Sequence, residues 1–253
     1  MTGERFFISD LHLSPEQPET GHLFLRLLRD LEDRAEALYI LGDLFEMWLG
    51  DDAILPAYQP YIEALRRLSD SGVSLHVMRG NRDFLMSDTF ATLTGAHLLD
   101  DPALVSLAGV PTLLMHGDLL CTDDLPYQRF RAMVHDPAWQ RELLSKSMEE
   151  RLSLARRLRQ ESRKAAGEKK AEIMDVNQQT VEHYLRKHGA RQLIHGHTHR
   201  PAEHRFLLDG KPAFRFVLPE WTPSHGGGGV RHDTGDKRPS PFPYPPAGGE
   251  NVI

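Results

Sequence analysis

Five short apolar runs in this chain each break off at a polar motif, most of them flanked by glycine, and that pattern narrows the possible folds most. RFFIS (5–9) stops at Asp10, and ALYIL (37–41) stops at Gly42-Asp43. VSLHVM (73–78) leads to Gly80-Asn81, the run at 111–115 to His116-Gly117-Asp118, and RQLIH (191–195) to Gly196-His197. Between these runs Leu23, Leu27, Leu28 and Leu31 recur at helical spacing, as do Ile62, Leu65 and Leu68 ahead of the stop at Gly72. Strand–helix–strand alternation predicts an α/β sandwich of strands flanked by helices. A further strand is expected at 103–107, turning at Ala108-Gly109, and a hairpin joins 205–208 to 213–218 across Asp209-Gly210. In such folds polar side chains just past strand ends, in loops, are where sites form.

Two segments break the rhythm. Residues 125–188 hold no strand candidate and read as an all-helical cap inserted between core segments 1–124 and 189–221. Within it, 151–170 carries eight Lys or Arg against two Glu. That run has three readings: a solvated face, attraction to anionic lipid headgroups, or capture of a substrate's phosphates. Residues 222–253 contain four consecutive glycines (226–229) and many prolines, and are expected to be a mobile tail with too little apolar area to repay its ordering.

A net charge of −6 argues against a general nucleic-acid binder. The single cysteine, Cys121, excludes an internal disulfide and fits a reducing cytosol. No signal peptide is read at the N-terminus, and no apolar run approaches the roughly eighteen residues of a membrane span.

The strand-end motifs supply three oxygen donors (Asp10, Asp43, Asn81) and four imidazoles (His12, His116, His197, His199). Seven mixed donors are too many for one tetrahedral zinc. They suit two divalent ions sharing a bridging carboxylate, with hard oxygen donors favouring manganese. Each motif alone is weak, since D-x-H triplets arise by chance and Gly-Asp is most often a turn. All five in order, each at a strand end, are not explained that way. The remaining histidines read as ordinary: His22, His135, His183 and His188 on helix surfaces, His76 and His195 within strands, and His204, His225 and His232 exposed.

FISDLHL (7–13), YILGDLFEMWLGDD (39–52), GNRDFL (80–85), MHGDLLCTDD (115–124), YQRFRAMVH (127–135), IMDVNQ (173–178) and LIHGHTHRPA (193–202) resemble the calcineurin-like metallophosphoesterases. The likeness is closest to the branch acting on UDP-2,3-diacylglucosamine in lipid A biosynthesis. The resemblance implies Asp10, His12, Asp43 and His199 around one manganese, and Asp43, Asn81, His116 and His197 around a second. It implies substrate contacts from Asn81, Arg82, Asp124, Ser162, Lys169 and His197, with Ala166 at a further contact position where the family carries asparagine. Pro219-Glu220 also departs from the family's pair before Trp221. The activity implied is hydrolysis of the substrate's pyrophosphate by metal-activated water attack on the α-phosphorus, giving UMP and the lipid 1-phosphate. Asn81, Arg82 and His197 are the residues expected at the reacting phosphate, although an ion pair with Asp83 or Asp51 would also explain Arg82. The implied setting is cytoplasmic, peripheral to the inner membrane, with no obligate protein partner. Another phosphoester substrate and a non-catalytic scaffold are the competing readings.

Overall fold

Alternation along the first strand sets the layers. The computed structural model describes residues 3–168 and 175–245, with the side chains of 163–168 outside that description. In chain order come β1 (Glu4–Ile8), α1 (Pro18–Leu31), β2 (Ala35–Leu41), α2 (Gln59–Asp70), β3 (Ser74–Met78), α3 (Asp88–Thr94) and β4 (His97–Leu99). They are followed by β5 (Ala103–Leu107), β6 (Val110–Met115), α4 (Leu125–Val134), α5 (Pro137–Leu144), α6 (Met148–Glu168) and α7 (Gln178–Lys187). The chain closes with β7 (Gln192–His195), β8 (Ala202–Leu208), β9 (Lys211–Val217), β10 (Gly227–His232) and β11 (Ser240–Tyr244).

Phe6 and Ile8 of β1 face Leu23, Phe24 and Leu27 of α1 and the apolar side of α2, while Phe7 points the other way onto Leu114, Ile194 and Phe216. Both faces of the strand are therefore buried, which is why it reads as a continuous apolar run. The first sheet has the order β11-β10-β1-β2-β3-β4 and the second β5-β6-β7-β9-β8. The two sheets pack on each other through Phe7, Tyr39, Leu41 and Met78 against Leu107, Leu114, Ile194 and Phe216. α1, α2 and α3 cover the first sheet, and α7 covers the second through Val181 and Leu185 against Leu113 and Leu193. The result is the expected α/β sandwich flanked by helices.

β1, β2 and β3 run parallel, as do β6 and β7, and all five end on one rim. That rim receives the polar motifs.

The helices α4, α5 and α6 occupy the stretch read as a cap. Trp139, Leu143 and Leu154 pack against the core cluster of the first sheet. Arg151, one of the basic run, is buried and grips Asp52 in bidentate fashion at 2.6 and 2.8 Å. It also donates to the carbonyls of Leu49 and Lys146, each at 2.9 Å. The solvated-face reading therefore fails for this residue.

The expectation of a mobile 222–253 tail is corrected over its described part. β10 pairs antiparallel with β1, placing Val230 opposite Phe7, and β11 pairs with β10 at the sheet edge. The glycines are there for close approach: a Cβ on Gly229 would lie 2.0 Å from the Phe7 carbonyl oxygen, and one on Gly227 would lie 2.1 Å from the Trp221 ring. Pro241 and Pro243 alternate with Phe242 and Tyr244 on an edge strand, where a missing N–H is tolerated. Phe242 packs edge-on against Phe6 at 5.2 Å. His232, expected to be exposed, is buried on β10 with Nε2 2.6 Å from the Asp236 carbonyl oxygen.

Candidate metal centre

The seven donors converge at the rim because each follows a strand end by one to four residues. Five of them, Asp10, His12, Asp43, His197 and His199, hold φ between 49° and 67°. Among the described residues the only other non-glycine positions of this kind are Ala108 and Asp209, both in turns. A left-handed backbone costs a non-glycine residue roughly 1–3 kcal/mol, and such strain concentrates at functional sites. Glycine neighbours permit the crowding. A Cβ on Gly80 would sit 2.1 Å from Asp43 Oδ1, and one on Gly196 2.2 Å from Asp10 Oδ2.

Two groups of donor atoms share Asp43. On one side His12 Nε2 lies 3.5 Å from His199 Nε2 and 3.7 Å from Asp43 Oδ2, and His199 Nε2 is 3.4 Å from Asp10 Oδ1. On the other, Asn81 Oδ1 is 3.0 Å from both His116 Nε2 and His197 Nδ1, and His116 Nε2 is 3.8 Å from Asp43 Oδ1. Asp10, His12 and His199 form one set able to hold an ion, and Asp10, Asp43 and His116 a second, so Asp10 stands in both. The donors fit a divalent metal. Asp10 Oδ2 accepts from Ser9 Oγ at 2.5 Å and the His197 amide at 2.9 Å, yet its Oδ1 is buried without a hydrogen-bond partner. An orphaned carboxylate oxygen amid imidazoles is explained by a cation.

Burial lowers the basicity of His116, but the charges of Asp43, Asp118 and Asp10 outweigh it and raise its pKa to about 9. Burial likewise opposes His199, and the negative charges of Asp10 and Glu220 facing its ring raise it to about 10. His197 goes the other way, to about 4, through burial and then the positive His116 beside it.

Several supporting residues were not singled out from the sequence. Glu46 Oε2 lies 2.9 Å from His12 Nδ1, and Glu220 Oε2 lies 3.2 Å from His199 Nδ1. Both back the ring nitrogen that faces away from the donor cluster, the arrangement that fixes a ligand tautomer. Asp118 Oδ2 accepts from Tyr127 Oη at 3.0 Å and Arg131 Nε at 2.7 Å behind the cluster. Glu46 carries one legible signal, standing three residues after Asp43 in YILGDLFEMWLGDD. Glu220 was visible only as a departure from the family pattern.

Arg82 lies at the cluster, its amide donating to Asp43 Oδ1 at 2.9 Å. Among the described residues its guanidinium makes no ion pair with Asp83 or Asp51. Asp83 accepts instead from the amides of Gly80 and Leu44, at 2.7 and 2.8 Å, and Asp51 from Phe90 N and Ser87 Oγ, each at 2.7 Å. Asp124 is buried and caps α4 by accepting from the Tyr127 amide at 3.1 Å. Asn177 anchors the same loop: its side chain donates to both oxygens of Asp123 at 3.1 and 3.0 Å, and its amide donates to the Leu120 carbonyl at 2.8 Å. Ser162 is exposed on α6. The Ala166 side chain and the whole of Lys169 lie outside the described residues.

Two cavities meet at the cluster. A groove of about 720 Å³ between the rim and α4–α6 is lined by Phe84, Phe130, Trp139, Leu143, Leu154 and Leu158, with Ser162 at its border. A polar cavity of about 940 Å³ opens on the other side, lined by His12, Ser14, Glu16, Gln17, His199 and Glu220. Glu46, Arg82 and Arg159 line both.

Residues 6–201 match the calcineurin-like phosphoesterase family. The chain is similar to the UDP-2,3-diacylglucosamine hydrolase of Chromohalobacter salexigens, 52% identical over 87% of this chain and 89% of the relative. It is 51% identical to the protein of the same name from Nitrosococcus oceani, over 85% of this chain and 86% of that one. Among solved structures, a hypothetical protein from Pyrococcus horikoshii OT3 shares the fold at TM-score 0.50 and 10% identity, covering 96% of this chain and 88% of the other.

Proposed function

Because the chain belongs to the calcineurin-like phosphoesterase family, we propose that it hydrolyses the pyrophosphate of UDP-2,3-diacylglucosamine, releasing UMP and 2,3-diacylglucosamine 1-phosphate. The observation that carries this reading is that a cluster of metal-type donors and an apolar groove share one wall at Arg82. A diphosphate linked to hydrocarbon tails needs both at once.

Two manganese ions held by Asp10, His12, Asp43 and His199 and by Asp43, Asn81, His116 and His197 would acidify a water near neutral pH and offset phosphoryl charge. Asp43 presents one carboxylate oxygen to each side of the cluster and so fixes their separation. Arg82 presents a planar fork to the phosphate, a geometry that binds two oxygens at once. Its Nε is buried without a partner, ready for an anion. His197 and Asn81 sit at the same edge of the cluster, against the phosphorus to be attacked, the α-phosphorus of the UDP half. Asp124, Ser162 and Lys169 act on the sugar and its phosphate in this reading, while Ala166 offers no polar group where asparagine is expected.

The groove takes the acyl chains. Each buried methylene is worth about 0.8 kcal/mol, so a protein slot competes with the bilayer. Arg156 and Arg157 stay exposed on α6 and draw the chain to the anionic cytoplasmic face of the inner membrane, at about 1 kcal/mol per basic residue. Among the described residues no helix is long and apolar enough to cross a membrane. The groove also weighs against a small soluble phosphoester as substrate, since such a molecule has nothing to place there.

The test is incubation of the protein and manganese with UDP-2,3-diacylglucosamine, following UMP. Release that requires the metal supports the assignment. No UMP, or equal release after chelation, refutes it.

A further inference from the structure

The apolar groove can accommodate only half of the proposed substrate. Its lining beyond Glu46, Arg82 and Arg159 is dominated by aromatic and aliphatic side chains, which suit acyl tails and offer little to a ribose or a pyrimidine. The polar cavity shares those three residues and continues past His12 and His199 to Ser14, Glu16, Gln17 and Glu220. A diphosphate seated at the shared wall therefore has one end directed into each cavity.

We propose that the polar cavity is the nucleotide subsite, in which Glu16 accepts from the ribose hydroxyls and the Gln17 side-chain amide pairs with the imide edge of uracil. This rests on the functional reading above and adds to it the seat of the UMP half.

The local structure supports these roles. The loop from Ser14 to Gln17 closes a turn, with the Gln17 amide donating to the Ser14 carbonyl at 3.3 Å, and α1 starts directly after it. Gln17 occupies the cap position of α1 but makes no side-chain capping bond, so its carboxamide is not consumed by the helix. Glu16 and Gln17 are both exposed at the cavity wall. The other two carboxylates of the cavity are occupied: Glu46 by His12 and Arg159, Glu220 by His199. Glu16 is then the acid placed to receive a diol, which offers two donors and matches a carboxylate's two oxygens. A carboxamide offers one donor and one acceptor side by side, complementing a uracil carbonyl and its N3–H. Both interactions read hydroxyl and amide groups and need no charge on the base.

The experiment measures direct binding of UMP to the manganese-loaded protein by equilibrium dialysis, with dUMP and diacylglucosamine 1-phosphate as comparison ligands. Gln17→Ala and Glu16→Gln are each expected to weaken UMP binding by about 10-fold, the effect of a hydrogen bond to a charged or well-placed group. dUMP is expected to bind the unaltered protein more weakly than UMP, with Glu16→Gln removing most of that difference. The lipid product is expected to bind the variants as it binds the parent. Unchanged UMP affinity in both variants, equal affinity for UMP and dUMP, or equal loss of UMP and lipid product would each overturn the subsite. These failures are separable from failure of the functional reading, in which the unaltered protein releases no UMP at all.

Discussion

Arg159 of α6 and Glu46 of the rim meet at 2.6 Å, and the second oxygen of the same Glu46 carboxylate lies 2.9 Å from His12 Nδ1. A cap helix and a candidate metal ligand are thus joined through one acidic side chain. Removing a carboxylate that orients a ligand imidazole typically lowers metal affinity by 10–100-fold. Glu46→Gln is therefore expected to weaken one of two manganese equivalents by about that factor, with Arg159→Ala showing a smaller loss in the same equivalent. Metal titration calorimetry checks this. Equal weakening of both equivalents would show that Glu46 serves the whole rim.

Asp43 stands between the two donor groups. Asp43→Ala should abolish hydrolysis and lower bound manganese at both positions while the fold persists, whereas His12→Ala should disturb mainly one. Metal analysis of the purified variants with circular dichroism decides it. Substantial manganese-dependent activity in Asp43→Ala would rule out a shared ligand.

Arg82→Ala is expected to reduce kcat by about 10² to 10³, the usual cost of losing a group that stabilises developing charge. Lysine should restore only part, because an ammonium lacks the fork. A variant with normal turnover and a lowered Tm would instead give Arg82 a structural role.

Leu158 and Ala155 line the apolar groove. Ala155→Trp fills space that acyl chains would occupy. If three or four methylenes are displaced at about 0.8 kcal/mol each, the ratio of kcat/KM for the diacylated over a deacylated UDP-glucosamine should fall by about 10². An unchanged ratio would send the search for the acyl slot elsewhere.

Metal binding should expel protons. Against the pull of burial, carboxylates hold the folded-state pKa of His116 at about 9 and of His199 at about 10, above the ordinary imidazole value of about 6.5. The stabilisation from these pairs is fully present below about pH 6.5 and is lost as pH rises through 9 and 10. An ion needs both rings neutral, so manganese added at pH 7.5 should release more protons than manganese added at pH 9, where His116 is already half deprotonated. Indicator-dye titration in weak buffer measures the count. Release that does not fall with rising pH would contradict the assignment of these rings.

The strand-end donors are legible because each donor is local to its own strand. A short continuous apolar run names a strand buried on both faces, and the next polar residue falls on the rim whatever the rest of the chain does. The same locality gave the helices on either side. It misled at residues 226–229, where composition alone resembles a linker. The need for glycine there comes from the Phe7 carbonyl and the Trp221 ring, both remote in sequence. α3 and β4 are not legible in the sequence, because seven and three residues carry too little periodicity.

By itself the sequence determined the layered α/β architecture, the seven donors and their order, since these depend on short-range patterning and on residue type. Only the tertiary structure decided which partners those donors have. Glu46 reaches His12 because β1 and β2 lie side by side, with the Glu46 amide donating to the Leu13 carbonyl at 3.0 Å. Glu220 reaches His199 because the chain returns past the rim after β9, where the Trp221 amide donates to the Asp10 carbonyl at 3.1 Å. Arg151 and Arg159, from the basic run whose sequence allows a solvated face, lipid attraction or phosphate capture, turn inward because α6 lies against the rim and presents them to Asp52 and Glu46. Charge is written in the sequence, but the side chain that answers it is chosen by packing between elements far apart in the chain.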